Sequence, residues 1–242
     1  MRAKALLLLL IAVTLLSAGC VSDDTGDTYT QLSSVTNTTE SKSESIVPSK
    51  PDSVASSKTA STVPTPDDDD LVLISDYIPD AVIDLKYATA DNFTNQIIYD
   101  FKEPSLRYGT VKKLMNVQSE LNEKGYTLLI WDAYRPTYAQ QKLWDICPDP
   151  KYVSDPSKGY TNHCRGNTVD VSILKSNGTA VTMPSDFDEF SKLADKDYSD
   201  VSAEAAQNAQ FLESAMEKCG FKGYNGEWWH YVDTVSYPVV SE

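Results

Sequence analysis

Apolar residues between positions 111 and 131 change from helical spacing to a continuous run. The positions with helical spacing are Val111, Leu114, Met115 and Leu121. They predict one face of a helix, which Gly125 is placed to end. The run Thr127–Trp131 consists of apolar and β-forming residues and predicts a buried strand. This part of the chain therefore predicts a helix followed directly by a strand.

Charged residues mark the exit of this strand. Asp132 and Arg135 come directly after it, and Pro136 blocks its continuation, so both charged side chains are well placed to reach a cleft. Thr137 and Gln140 then have the spacing of a capping box, which predicts the start of a second helix. The apolar face of that helix comprises Ala139, Leu143 and Ile146.

Three further segments complete the predicted fold. Thr168–Leu174 alternates between polar and apolar residues, which predicts a strand whose Asp170 points away from the apolar layer. Ala203–Lys218 has helical spacing, and its expected cap and terminator are Ser202 and Gly220. Aromatic and β-branched residues predict a strand over Trp228–Val232. The sequence therefore predicts an α+β fold with a mainly antiparallel central sheet flanked by helices.

The N-terminus has the features of an export signal. Arg2 and Lys4 precede the apolar stretch Ala5–Leu16, which is too short to span a membrane comfortably. We therefore expect residues 1–19 to be a cleaved signal. The small residues before Cys20 resemble the lipobox of bacterial lipoproteins, which implies a lipidated Cys20, membrane attachment and an extracytoplasmic location. An ordinary secretory signal is the alternative.

A polar segment separates this signal from the rest of the chain. Val21–Asp70 contains 11 Ser and 9 Thr but no Phe or Trp, and it ends in the acidic run Asp67–Asp70. Such a composition buries too little apolar surface to offset the entropy of ordering. It predicts a disordered tether over residues 20–70. Residues 71–242 have a normal size for one folded domain with one core.

The charge and the cysteine count limit partners and redox chemistry. The net charge is −14, and without residues 1–19 the chain has 19 basic against 35 acidic residues, or −16. Nucleic acid requires a basic surface, so we expect no nucleic-acid partner. The cysteines after Cys20 are Cys147, Cys164 and Cys219. Export permits at most one disulfide among these three, and its pairing stays open.

The only two histidines of the chain lie in polar runs that point to a metal. His163, Asp170 and His230 would supply two imidazoles and a carboxylate, the three-ligand set of a catalytic zinc site with an open position. Cys164 is a minor alternative ligand. Glu227 is left over and is expected to be the base that takes a proton from water. Because Glu227 and His230 would project to opposite faces of a regular strand, we expect Glu227 in the preceding turn.

Further motifs carry a family resemblance. They are Asp84–Thr89 with Asp91–Phe93, and Asp132–Pro136. The pattern Ser-x-His-x-x-Gly-x-Ala-x-Asp is matched by Thr161, His163, Gly166, Thr168 and Asp170, and Glu-Trp-Trp-His by Glu227–His230. On these residues the chain resembles the D-alanyl-D-alanine dipeptidases of the vancomycin-resistance type, within the zinc family of D-Ala-D-Ala carboxypeptidases and hedgehog-like folds. The resemblance covers nearly all of residues 71–233.

This resemblance implies an enzyme site with assigned roles. One zinc ion per domain would be held by His163, Asp170 and His230. Glu227 would be the catalytic base, and Arg135 would stabilise the transition state. Each role also makes chemical sense alone, because a tetrahedral oxyanion needs positive charge and the Arg135 guanidinium is permanently charged.

The resemblance also points to substrate contacts. Asp188 is the best match to the aspartate that holds the substrate's ammonium group in dipeptidases of this family, and Asp186 is the alternative. Thr161 replaces the family's serine and is expected to bind substrate, whereas Thr168 replaces alanine and would add bulk near the site. Two tyrosines of the motifs are expected to pack rather than to react: Tyr87 and Tyr134.

Three functions follow from these features. The first is a membrane-tethered zinc dipeptidase that releases D-alanine from D-Ala-D-Ala. The second is a D,D-carboxypeptidase or endopeptidase acting on peptidoglycan stem peptides, because an extracytoplasmic enzyme has access to the wall. The third is a noncatalytic wall-binding or zinc-binding lipoprotein. The presence of Glu227 and Arg135 counts against the third, because metal capture needs neither.

Overall fold

The computed structural model describes residues 65–241, which form three α-helices, several short 3₁₀ turns and two sheets. The helices are α1 (Tyr108–Glu123), α2 (Thr137–Ile146) and α3 (Ala203–Lys218). The strands are β1 (Leu71–Leu73), β2 (Val82–Ile83), β3 (Ser105–Arg107), β4 (Tyr126–Asp132), β5 (Thr168–Lys175), β6 (Phe221–Tyr224) and β7 (Glu227–Asp233). The larger sheet has the order β2-β4-β5-β7-β6, and β1 pairs with β3 in the smaller one. Only the β2–β4 pair is parallel, so the predicted α+β fold with a mainly antiparallel sheet is confirmed.

The main core lies between this sheet and the two long helices, α1 and α3. Its fully buried helical residues include Val111, Leu114, Val117, Leu121, Ala209, Leu212 and Met216. The expected inward position of Met115 is wrong, because Met115 is 40% exposed. Val117 and Gln118 complete the buried face instead, since they lie three and four residues after Leu114 and therefore on the same side of the helix.

The ends of the long helices follow their sequence signals. Gly125 and Gly220 have φ values of +79° and +92°, a left-handed conformation that glycine adopts at low cost. The Ser202 hydroxyl accepts a hydrogen bond from the Ala205 amide, as an N-cap does. These predicted ends are therefore confirmed.

The predicted capping box of α2 is wrong. Pro136 occupies the N-cap position and makes no side-chain cap, and Thr137 is already the first helical residue. The Gln140 amide is used elsewhere, because its oxygen accepts a hydrogen bond from Arg135 and its nitrogen donates one to the Ser154 carbonyl. Gln140 therefore belongs to a buried polar network and does not cap the helix.

A second, smaller core cluster packs around α2. Its buried members are Leu85, Tyr87, Ile98, Tyr99, Ala139, Leu143 and Val153. Phe187 packs against both this cluster and the main core. The ring of Phe187 contacts those of Tyr87, Trp131 and Trp229 in edge-on or tilted arrangements. The segment around Phe187 is therefore fixed between the two cores.

The acidic run predicted to end the tether contacts the folded domain. The carbonyls of Asp68 and Asp70 accept hydrogen bonds from the first amides of α1, at Gly109 and Tyr108. The Asp69 carbonyl accepts one from the Arg107 guanidinium. The predicted signal, Cys20 and the tether up to residue 64 lie outside the described residues. Among residues 65–241 no helix has the length and apolar character that a membrane span needs.

Candidate active site

Three neighbouring strands place a row of polar residues side by side. Asp170 on β5 is the register partner of Asp132 on β4 and of His230 on β7. The pairing of β4 and β5 shifts by one residue between Ile130 and Asp132. In a regular ladder Trp131 would face Asp170, so this bulge brings the two carboxylates opposite each other.

A second irregularity shapes the β6–β7 hairpin. Its two-residue turn is Asn225-Gly226, yet the pairing jumps from Gly223 with Tyr231 to Tyr224 with Glu227. The residues 228–230 are thus accommodated without partners on β6, and the alternation of side chains is interrupted. The two tryptophans of this segment are buried, whereas Glu227 and His230 are both partly exposed.

Glu227 consequently lies beside His230 without being in the turn. A Glu227 carboxylate oxygen is 3.7 Å from Nδ1 of His230. The expectation that Glu227 precedes the strand is therefore wrong, since Glu227 is the first residue of β7. The irregular pairing removes the strict alternation of side chains that would place Glu227 and His230 on opposite faces. The two side chains therefore lie together although both belong to β7.

His163 is presented by a 3₁₀ turn over His163–Arg165 that ends at Gly166, whose φ is +72°. Its Nδ1 is 2.7 Å from the Ala133 carbonyl oxygen, and its Nε2 is 3.3 Å from an Asp170 oxygen. A carbonyl only accepts hydrogen bonds, so Nδ1 carries the proton. Nε2 faces the Asp170 carboxylate and is the ring nitrogen available to a metal.

His163, Asp170 and His230 form a group suited to a metal ion. One ligand atom from each lies within 4.8 Å of the others. Two imidazoles and one carboxylate are a common donor set for catalytic zinc. Cys164 is not part of this group, and its sulfur accepts a weak hydrogen bond of 3.7 Å from Thr161. No disulfide links the three cysteines of the described residues.

The charges within this group stabilise one another. Burial raises the pKa of Asp170, but the two histidines outweigh it and hold that pKa below its usual range. Burial lowers the pKa of His230, but the hydrogen bond of 2.9 Å to Asp170 and its charge raise it overall. Asp170 is therefore an anion between two imidazoles, which is the electrostatic arrangement that a divalent cation favours.

Arg135 is buried at the edge of the same cleft. Its Nε and Nη2 both donate to one Asp132 oxygen, at 2.9 and 2.6 Å, and its Nη1 donates to Gln140 at 2.9 Å. The guanidinium carbon lies 4.9 Å from the centre of the Tyr87 ring. Burial lowers the pKa of Arg135, but the charge of Asp132 raises it above its ordinary value. Arg135 is therefore a permanently charged and tightly oriented cation.

Asp188 projects into the cleft from a left-handed backbone position. Its φ is +56°, which is uncommon for a residue other than glycine, and the packed ring of Phe187 precedes it. One Asp188 oxygen accepts a hydrogen bond of 2.7 Å from the Tyr87 hydroxyl. Burial, with Asp170 and Glu227 nearby, raises the pKa of Asp188 to about 8. Asp188 is thus a carboxyl that needs a positive partner to ionise fully.

A cleft of about 440 Å³ contains these groups together. Its wall includes the three metal-site residues, Glu227, Arg135, Asp188 and Thr161. Asp186 instead lines a separate groove. The expectation that Thr168 adds bulk near the site is wrong, because Thr168 is fully buried in β5 and does not line the cleft. Tyr87 is packed as expected, but its hydroxyl also contacts Asp188.

Three residues around Arg135 were not assigned a role from the sequence. Asp132 binds the guanidinium, Gln140 orients it, and the Tyr99 hydroxyl donates to the second Asp132 oxygen at 2.8 Å. Asp132 carries two sequence signals, its position at a strand exit and its place in the motif Asp132–Pro136. Gln140 and Tyr99 join the network through tertiary contacts over 5 and 33 residues.

The chain is similar to known proteins of one family. Residues 67–237 match the family described as D-ala-D-ala dipeptidase. The D-alanyl-D-alanine dipeptidase of Escherichia coli (strain K12) is 36% identical over 178 residues, covering 73% of this chain and 92% of that protein. The Enterococcus faecium D-alanyl-D-alanine dipeptidase is 32% identical over 169 residues, covering 62% of this chain and 84% of that protein.

Among solved structures, VanYB in complex with D-Alanine-D-Alanine is similar over 55% of this chain and 73% of that chain, with 15% identity and a TM-score of 0.37. The family match extends over nearly all the described residues and includes every residue of the cleft named above. The E. coli relative is similar over almost its whole length. The chain therefore belongs to the D-ala-D-ala dipeptidase family and is a metallopeptidase.

Proposed function

We propose that this protein is a zinc-dependent dipeptidase that hydrolyses D-Ala-D-Ala to D-alanine. The observation that carries the proposal is one cleft that combines a three-residue metal group, a carboxylate beside it and a buried arginine. A second carboxyl, Asp188, faces the same cleft. These groups are what hydrolysis of a short peptide with a free amino end requires.

The metal group fits one zinc ion. His163 through Nε2, Asp170 through a carboxylate oxygen and His230 would hold it, which leaves a position open. When bound, zinc lowers the pKa of water towards about 7 and polarises a carbonyl group. The hydrogen bond between His230 Nδ1 and Asp170 would give way when the ion binds, because a ligand nitrogen must be free of its proton.

Glu227 is the proposed general base. Burial raises the pKa of Glu227 above its ordinary value, which strengthens it as a proton acceptor. It takes the proton of the attacking water and passes it to the amine of the departing D-alanine. The bulged start of β7 holds this carboxylate next to His230, so the proton acceptor and the metal group share one side of the strand.

Arg135 supplies positive charge where the scissile carbonyl becomes an oxyanion. The guanidinium is oriented before substrate arrives, because Asp132 and Gln140 bind three of its nitrogens. A preoriented charge in a buried site needs no reorganisation during the reaction. Removing one such interaction costs about 10²- to 10³-fold in kcat in other enzymes.

Asp188 is proposed to bind the ammonium group of the substrate. Its raised pKa means that ionisation is costly in the empty cleft, and an ammonium group offsets that cost through a charge-assisted hydrogen bond. Tyr87 holds one oxygen in place. A carboxypeptidase acting on stem peptides must accept a neutral peptide at this position, so Asp188 favours the dipeptidase.

The test compares free D-Ala-D-Ala with its N-acetylated form, using zinc-loaded protein. We expect kcat/KM to be at least about 10²-fold lower for the acetylated dipeptide, because the Asp188 carboxyl then has no charged partner. Asp188→Asn should bring the two kcat/KM values closer together. Asp186→Asn, at an exposed position, should leave their ratio unchanged. Equal rates on both substrates would reject the dipeptidase and favour the carboxypeptidase. No hydrolysis of either, with zinc bound, would favour the noncatalytic lipoprotein.

We further propose that the mature protein is anchored outside the cytoplasm through a lipidated Cys20. The proposal rests on the signal-like residues 1–19 and the small residues before Cys20. Mass analysis of the mature N-terminus should find a diacylated cysteine. Cys20→Ala should release the protein from the membrane fraction. An unmodified N-terminus at another position would support the secretory alternative.

A further inference from the structure

Asp132, at the end of β4, is a fully buried carboxylate to which the mechanism above gives no chemical step. Its relative exposure is 0%. A buried charge is costly unless every part of it is bound. One oxygen accepts from the Tyr99 hydroxyl at 2.8 Å, and the other accepts from two nitrogens of Arg135. Asp132 is therefore completely bound, and most of its binding is to one proposed catalytic group.

Arg135 lies between two carboxylates. Its Nη2 is 2.6 Å from an Asp132 oxygen and 3.9 Å from an Asp170 oxygen. The one-residue bulge in β4 makes these two aspartates direct neighbours across the sheet. Since Arg135 binds Asp132, the Asp170 oxygens remain directed at the two histidines. Without Asp132, the nearest anionic partner of the guanidinium would be Asp170.

His163 also faces Asp132. Its Nδ1 is 2.7 Å from the Ala133 carbonyl and 3.5 Å from an Asp132 oxygen. Negative charge behind a protonated Nδ1 favours that tautomer and makes Nε2 a stronger donor to a metal. Asp132 is thus adjacent to both halves of the site, the arginine and the metal group.

We infer that Asp132 is a positioning residue that keeps Arg135 directed at the substrate and away from the metal-binding Asp170, while it orients His163. The inference rests on the proposed function. A guanidinium paired with Asp170 would compete with zinc for that carboxylate. Loss of the Asp132 charge should therefore weaken zinc binding and lower kcat together, even though Asp132 is in neither the metal group nor the wall of the cleft.

The first experiment uses Asp132→Asn in the full mature chain. Competition with a chromophoric chelator should show zinc affinity lower by about 10- to 100-fold, the usual range for loss of a group that supports a ligand. At saturating zinc, kcat for D-Ala-D-Ala should fall by about 10²-fold with little change in KM, because the Arg135 contact acts in the transition state. Circular dichroism and thermal melts record the fold separately.

The sharper experiment adds Arg135→Ala to the Asp132→Asn variant. If the released guanidinium is what competes for Asp170, the double variant should bind zinc more tightly than Asp132→Asn alone. Removing both partners of a buried pair is less disruptive to the fold than removing one, so melting temperatures are measured alongside zinc affinity. A merely structural Asp132 predicts that zinc affinity changes only in step with the melting temperature, whereas competition for Asp170 predicts a recovery of zinc affinity that exceeds any gain in stability. Zinc affinity no better in the double variant would overturn the inference.

The matched control is Asp233→Asn. Asp233 is another buried carboxylate bound by a hydroxyl and a cation, through Thr110 and Lys113, and it is in neither the cleft nor the metal group. Its variant should melt at lower temperature with unchanged zinc affinity and kcat. If Asp132→Asn does not fold, Tyr99→Phe replaces it, with kcat lower by about 2- to 10-fold, the equivalent of one hydrogen bond.

The outcomes separate the inference from the proposed function. If the wild-type protein neither binds zinc nor hydrolyses the dipeptide, the proposed function fails. If the wild-type protein does both and the Asp132 and Tyr99 variants match it, only the inference fails. If Asp132→Asn lowers the melting temperature in the same way as Asp233→Asn and leaves zinc affinity and kcat unchanged, Asp132 is structural and the inference is overturned.

Discussion

Asp170 and Asp233 are buried carboxylates on neighbouring strands, and they are bound in different ways. Asp233 accepts hydrogen bonds from Thr110, Lys113 and the Val235 amide, the first and last at 2.8 Å. Asp170 faces ring nitrogens of His230 at 2.9 Å and His163 at 3.3 Å. The partners of Asp233 all donate hydrogen bonds to it, whereas the imidazoles beside Asp170 can also bind a metal.

This difference shows what distinguishes a functional buried charge from a structural one. Both aspartates are 3% exposed, so burial alone does not separate them. Around Asp233 a hydroxyl, an ammonium group and a backbone amide donate to the carboxylate, and Asp233 does not line the cleft of the site. Around Asp170 the contacts are longer, the partners are side chains that can bind a metal, and the group opens onto a cleft. A functional buried carboxylate is therefore recognised by neighbouring atoms that can bind a metal and by its access to a cleft.

The largest expected effect comes from breaking the Asp170 group. His230→Ala removes one of three ligands, so we expect loss of bound zinc and a fall of hydrolysis to background. Elemental analysis of the purified variant and a D-alanine release assay measure both. Asn208→Ala, a partly exposed change outside the cleft, serves as the control. A variant that kept zinc and turnover would remove His230 from the proposed ligand set.

Glu227→Ala should have the next largest effect and tests base against ligand. We expect zinc to remain, because the three ligands are intact, while kcat falls by about 10²- to 10⁴-fold, as for loss of a general base. Loss of zinc in this variant would make Glu227 a ligand instead. Turnover near that of the wild-type protein would exclude both roles. Zinc content and kcat measured on one preparation decide among these outcomes.

Breaking the Asp233 group should change stability and leave the chemistry intact. Lys113→Met leaves the buried carboxylate with neutral donors only, which we expect to lower the free energy of unfolding by about 1–3 kcal/mol. The control is the neighbouring Lys112→Met, which breaks an exposed pair with Asp68 and should lower the free energy of unfolding far less. Urea unfolding measures both. A large loss of kcat in Lys113→Met would contradict the interpretation that the Asp233 group supports only the fold.

The smallest expected effect is a pH dependence of stability from Asp188 in metal-free protein. Its native pKa is raised to about 8, so between about pH 4 and 8 the folded state holds a proton that the unfolded chain has released. Stability from this group therefore falls as pH rises through that range. Asp188→Asn has no such proton, so its melting temperature should rise relative to that of the wild-type protein between pH 5 and 8. A constant difference would contradict the raised pKa.

Much of the fold is accessible from local sequence patterns. The spacing of Leu114 and Leu121, the cap at Ser202 and the glycines after both long helices predict elements that the structure contains. These signals are local, since a helix face and its ends depend on residues a few positions apart. The metal group was also predictable, because the two histidines each lie close to a carboxylate in the sequence.

The remaining features depend on the register between strands. Neither the pairing of Asp132 with Asp170 nor the shared side of Glu227 and His230 follows from a period of two. A bulge adds residues to one strand according to how the partner strand packs, which the strand's own sequence does not encode. Gln140 shows the same limit, since its spacing fits a cap but its amide binds Arg135 across a turn.

The two bulges also determine how the site could be moved to another protein. On regular strands the same side chains would alternate between the two surfaces of the sheet. Asp170, Glu227 and Arg135 would then no longer face the same cleft. A graft would therefore have to carry the irregular segments around Trp131 and residues 228–230 along with the reactive residues. By the same reasoning, losing a single residue from either segment would inactivate the enzyme while every reactive side chain was still present.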